Sequence, residues 1–133
     1  MVVEVAAALI QDEEGRYLIT RRLPGSHLEG LWEFPGGKRE PGETLEACLR
    51  RELVEELGAT FVVGDRVETI RWEYPDRTIV LHFYRCRLVS GTIAPRESQV
   101  MAWVAQRGLG DYEFPPADRI LVDRLRASHP PRG

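Results

Sequence analysis

The chain has 133 residues, 43% of them hydrophobic, with three tryptophans and a net charge of −3. That much apolar material fits one domain with a buried core and excludes a disordered chain. The acidic balance argues against a long nucleic acid partner, which calls for a basic stripe, but leaves room for a small phosphorylated ligand met by a few local cations. Cys48 and Cys86 stand outside any CxxC or His-rich context, so a reducing, cytoplasmic setting is expected rather than a disulfide framework or zinc site. No basic leader precedes the short apolar run at the N-terminus, and no run approaches the ~20 apolar residues of a membrane span.

Val2 to Ile10 is β-branched and small and predicts a mostly buried strand. Asp12-Glu13-Glu14-Gly15 predicts a turn and Arg16 to Arg22 a second strand, so the simplest expectation is a hairpin. Leu23 to Leu31 predicts a loop. Trp32-Glu33-Phe34 is a short extended piece stopped by Pro35 and the glycine pair. A helix should start near Thr44, which can cap its first turn, and end at Leu57, with Gly58 supplying a left-handed residue. Phe61 to Tyr74 predicts one or two strands broken at Gly64-Asp65, and Pro75-Asp76 a turn. Thr78 to Val89 is the clearest strand, and Val100 to Val104 a short one. Asp111 to Pro116 is a proline-bearing loop, and Ala117 to Arg126 has helical spacing. The expected fold class is α+β, a mixed sheet covered on both faces, with one domain over residues 1–127 and a tail over 128–133.

The chemistry concentrates in Gly36 to Ala59, where two glycines precede a helix rich in glutamate. At roughly 100° per residue, Leu45, Leu49, Leu53 and Leu57 form the buried stripe. Glu52 and Glu56 fall roughly 20° to either side of Leu45, and Glu55 lies on the adjoining flank. Carboxylates on an apolar edge repel one another, and one protonates unless a cation joins them. Arg51 cannot neutralise all three. A hard divalent ion with oxygen ligands can, with Mg²⁺ the expected ion and Mn²⁺ a substitute. The plain alternative is a solvated acidic face with Arg50 and Arg51 as i,i+4 partners.

Gly37, five residues, Glu43, seven residues, then Arg51-Glu52-Leu53-Val54-Glu55-Glu56-Leu57-Gly58-Ala59 resembles the complete Nudix box. The resemblance implies the Nudix α/β/α sandwich with two main helices, and hydrolysis of a nucleoside diphosphate linked to another moiety. It implies the Gly36 carbonyl, Glu52, Glu55 and Glu56 as metal ligands or base, with Arg51 orienting a carboxylate. Leu18-Ile19-Thr20-Arg21-Arg22, Trp32 to Lys38, Tyr74-Pro75-Asp76-Arg77 and Phe114-Pro115-Pro116-Ala117 are similar to the MutT subgroup. That subgroup cleaves nucleoside triphosphates, 8-oxo-dGTP among them, to the monophosphate and pyrophosphate.

By this likeness Arg22 and Lys38 would meet phosphates, with His27 in a loop nearby. Phe34 and Arg77 would line the base pocket, and Glu97 would be a further metal ligand or base. Arg22 also fits a strand-edge charge, Phe34 plain core, Arg77 a turn residue and Glu97 a polar loop. Asp118 departs from MutT, which has Asn there. Asn offers a donor and an acceptor to 8-oxoguanine, whereas ionised Asp only accepts and suits the cytosine amino group. Relatives acting on (d)CTP resemble the chain at Pro116-Ala117-Asp118-Arg119. Asp118 also fits the N-cap of the last helix. The lead expectation is 8-oxo-dGTP, the alternative a cytidine triphosphate, with the enzyme a monomer or homodimer. A Nudix enzyme for another diphosphate has little room for the extra segments such enzymes carry. A non-catalytic nucleotide-sensing module would not need the intact glutamates.

Overall fold

β1 (Val2–Ile10) runs through the middle of the molecule. Side chains alternate across a strand, and both faces of β1 are covered. Ala6, Ala8 and Ile10 enter one core cluster, and Ala7 and Leu9 the other. The small alanines let both layers approach closely. The computed structural model describes residues 1–21 and 30–128; Arg22, His27 and the tail from residue 129 lie outside the described residues.

β1 pairs in parallel with β6 (Thr78–Ser90) and antiparallel with β4 (Gly36–Lys38). β5 (Thr60–Glu73) completes a mixed sheet in the order β4-β1-β6-β5. β2 (Tyr17–Arg21) lies between β3 (Trp32–Glu33) and β7 (Val100–Val104) in a second, antiparallel sheet. Helix α1 (Leu45–Leu57) packs Cys48, Leu49, Leu53 and Leu57 on one face of the mixed sheet. Helix α2 (Pro116–Ala127) packs Ala117, Leu121, Val122 and Leu125 on the other. This is the α/β/α sandwich, with a 3₁₀ helix at Gln106–Asp111 leading into α2.

The ends of α1 form for the expected local reasons. Thr44 accepts from the Ala47 N–H at 3.0 Å, and Gly58 closes the helix in the left-handed region at φ 67°.

Several expectations change. β1 and β2 are not a hairpin: they belong to different sheets, and among the described residues the backbone pairing beside them is an isolated Gln11–Tyr17 bridge. Both edges of β1 are taken, by β4 and β6, so β2 has no edge to pair with. The glycine pair does not stop a strand but forms one, β4, whose exposed backbone pairs closely with β1. Phe61 to Tyr74 is not interrupted; Gly64-Asp65 falls instead at a register shift within β5. Gln106–Asp111 is a 3₁₀ helix without strong apolar periodicity. α2 begins at Pro116 with Pro115 in the cap position, so Asp118 is inside the first turn and does not cap it.

Gly36 explains why β4 lies so close to β1. A Cβ there would stand 2.0 Å from the Ala6 carbonyl oxygen and 2.8 Å from Ala7 Cα. Neither backbone atom can move without breaking the ladder. Gly36→Ala should therefore destabilise the protein by about 3 kcal/mol or more. A thermal melt within a degree of the parent would refute that close approach.

Candidate active site

The inner edge of α1, strands β3 and β4, the β5–β6 turn and the start of α2 enclose an open cleft of about 600 Å³. Of the helix carboxylates Glu56 lines it, and Glu52 and Glu56 both flank the Leu49, Leu53 and Leu57 stripe that docks α1 on the sheet. They are half-buried, whereas the Glu55 side chain keeps 52% of its surface exposed.

Arg51 organises the outer part of the cluster. Its Nη2 donates to Glu43 Oε1 at 2.7 Å and its Nε to Glu43 Oε2 at 3.2 Å, a two-pronged contact. Its Nη1 donates to Glu52 Oε1 at 2.9 Å and lies 3.5 Å from Glu55 Oε1. The Arg51 contact holds the Glu43 carboxyl down at about 2. Glu43 thus anchors the guanidinium that turns Glu52.

Glu56 is different. Its Oε2 accepts from the Gly36 N–H at 2.9 Å. Burial pushes its carboxyl up to about 9, and the charges of Glu33, Glu52 and Glu97 add to the rise against the lowering by Gly36. Burial also raises Glu52, against the pull of Arg51, and Glu55 and Glu97 contribute. The inner edge thus gathers carboxyls whose charged form burial disfavours. Gly37 keeps it tight: a Cβ there would lie 2.3 Å from Glu52 Cδ.

The donors suit a hard divalent ion: they are oxygens, several are anionic, and burial disfavours their charge without a cation. Among the described residues no three acidic, His or Cys side chains are already gathered as a metal cluster. The contacts show why: Glu52 turns toward Arg51 and Glu56 toward the Gly36 N–H.

The other predicted residues divide cleanly. Lys38, Phe34, Arg77, Glu97 and Asp118 all border the cleft. Phe34 is also core, stacked on Phe114 at 5.6 Å and edge-on to Phe83 at 5.9 Å. Arg77 sits at the end of the β5–β6 turn, its backbone carbonyl accepting from Tyr74 N–H at 2.7 Å. Asp118 is only 8% exposed. Trp32 packs edge-on against Tyr112, and Trp72 and Trp103 pack against the cores.

Residues that the sequence alone did not mark also line the cleft: Thr20, Arg21, Glu33 and Gln99. The signal for Glu33 was its place between Trp32 and Phe34, next to a residue already assigned to the wall. Thr20 and Arg21 stood in the segment that pointed to Arg22. Nothing local distinguished Gln99 in a polar loop.

A family model for the NUDIX domain matches residues 6–124. An 8-oxo-dGTP diphosphatase of Haemophilus influenzae is 40% identical over 124 residues, covering 93% of this chain and 91% of that one. A CTP pyrophosphohydrolase of Escherichia coli is 38% identical over 132 residues, covering 97% of each. The crystal structure of the MutT protein from Methanosarcina mazei Go1 superposes with a TM-score of 0.83 at 28% identity, covering 96% of this chain and 94% of that one. The chain belongs to the Nudix family.

Proposed function

We propose that this MutT-type nucleoside triphosphate pyrophosphohydrolase acts on 8-oxo-dGTP, with Mg²⁺ as its ion and Mn²⁺ as a substitute. It releases the nucleoside monophosphate and pyrophosphate, in the cytoplasm, from one domain spanning residues 1–127. The carrying observation is the juxtaposition in one cleft of Glu56 from α1 and Glu97 from its loop with Phe34, Arg77 and Asp118 on the far walls. A relative of similar length and 40% identity bears the name 8-oxo-dGTP diphosphatase.

In this reading Glu52, Glu55, Glu56, Glu97 and the Gly36 carbonyl hold the ion. Bound there, it would neutralise phosphate charge and make a water easier to deprotonate. Arg51 fixes the orientation of Glu52. Glu52 and Glu97 supply the carboxylates for proton removal from the attacking water. Lys38, together with Arg21 at the cleft and Arg22 beyond the described residues, offers positive charge to the phosphates. Phe34 gives the base a flat apolar surface, and Arg77 and Asp118 offer it polar edges. A panel of nucleotides with Mg²⁺, scored by kcat/KM and product, tests the assignment. Release of phosphate instead of pyrophosphate would overturn the cleavage position.

Asp118 supports a second substrate, a cytidine triphosphate. Its carboxylate lies in the cleft wall and does not cap α2. An ionised carboxylate accepts well from the cytosine amino group and is repelled by a purine O6. Asp118→Asn should shift relative kcat/KM from cytidine toward 8-oxoguanine nucleotides by roughly tenfold or more. Unchanged ratios would remove Asp118 from base recognition.

A further inference from the structure

The chain leaving β6 at Gly91 crosses to the C-terminal end of α1 before entering β7. Ala94 N–H donates to the Leu57 carbonyl at 3.0 Å, and Arg96 N–H to the Glu56 carbonyl at 2.9 Å. Carbonyls in the last turn of a helix have no partner within it, so this loop satisfies the helix end that carries Glu55 and Glu56. The Arg96 guanidinium lies over Gly58, where a Cβ would fall 2.2 Å from its Nε.

Gln99 closes the arrangement from its side chain. Its Nε2 donates to the Glu56 carbonyl at 2.9 Å. Its Oε1 accepts from the Glu97 N–H, also at 2.9 Å. Between them, Ser98 has φ 57°, a left-handed conformation disfavoured for a residue with a side chain and held here by its surroundings. That bend lets the Gln99 amide reach back two residues. One planar amide therefore ties the backbone of Glu56 to the backbone of Glu97. The task needs a donor at one end and an acceptor at the other, which an amide has and a carboxylate lacks.

We propose that Gln99 is a positioning residue, which sets Glu97 relative to Glu56 by bridging their backbones and so brings the loop carboxylate to the helix carboxylates. The proposal rests on the reading that Glu97 takes part in the reaction. Gln99 acts through Glu97, because both ends of its amide are engaged with the protein.

The test combines Gln99→Ala, Gln99→Met (similar length without the amide), Glu97→Gln and the double variant Gln99→Ala/Glu97→Gln. In the metal-free protein, amide exchange at Glu97 should accelerate roughly tenfold or more in either Gln99 variant, with little change in melting temperature. With Mg²⁺ and a nucleoside triphosphate, kcat should fall roughly 10- to 100-fold while KM changes little, as expected when a reacting group is displaced by about an ångström. On the Glu97→Gln background, Gln99→Ala should cost little more, since both act on one group. Slow turnover in Glu97→Gln with parental kcat in both Gln99 variants would overturn the positioning role and leave Glu97 in place. The same holds if the losses simply multiply in the double variant. Full turnover in Glu97→Gln would remove the chemical role of Glu97 and this proposal with it.

Discussion

Glu52→Gln is expected to lower kcat by about two to four orders of magnitude, the range that a positioned proton acceptor contributes, while fold and nucleotide binding persist. The amide is nearly isosteric with the carboxylate, and its oxygen can still accept from Arg51 Nη1, which now bonds Glu52 Oε1 at 2.9 Å. Arg51 keeps its two contacts to Glu43. Leu49 and Leu53 remain packed, so α1 holds its place. What disappears is an anion in a region that burial and Glu55 and Glu97 already make costly for charge. That cost is tolerated only if the charge does something. The check is kcat and KM with Mg²⁺, beside a thermal melt and nucleotide titration. Near-parental turnover would sink the assignment of Glu52 as base or ligand.

The same residues show what a sequence can reveal. The helix wheel placed Glu52 and Glu56 beside the leucine stripe, and both are half-buried there. Local rules sufficed, because Thr44, Gly58 and the leucine spacing decide a helix within its own length. β4 was hidden because a glycine pair usually signals a turn, and only the approach of β1 makes it a strand. Assigning β1 and β2 to different sheets likewise depends on β6, whose pairing partner Val2 lies 76 residues before Thr78.

The cleft walls were less legible than its acidic edge. Phe34, Arg77 and Asp118 come from three separate elements, and no spacing connects them. Their assignment rested on likeness alone, and the fold then brought them to one cleft. Gln99 had no local pattern at all, and Glu33 only its place beside Phe34. Their significance arises from what the folded chain sets beside them: the end of α1 for Gln99, and the buried carboxyl of Glu56 for Glu33.

Glu56→Gln should produce the opposite pairing of effects, a more stable metal-free protein and a nearly inactive enzyme. The Glu56 carboxyl is raised from 4.5 to about 9 in the fold, first by burial and then by its acidic neighbours. Between those values the folded protein holds a proton that the unfolded chain has released. Stability from this site is therefore full below about pH 4.5 and is lost progressively as pH rises toward 9. The amide carries no such dependence. It can still accept from the Gly36 N–H, and its NH₂ group can donate toward the carboxylates nearby. At pH 8 in a chelator the variant should exceed the parent by a few kcal/mol, several degrees in melting temperature, and the gap should close toward pH 5. The low carboxyls of Asp12 and Glu43 act in acid, so the difference between the two proteins above pH 5 isolates Glu56. Adding Mg²⁺ should raise the parent's melting temperature more than the variant's, because a ligand that binds only the fold stabilises it. Parallel pH profiles in chelator would show that Glu56 is not the buried acid described, and equal gains with Mg²⁺ would remove it from the metal ligands.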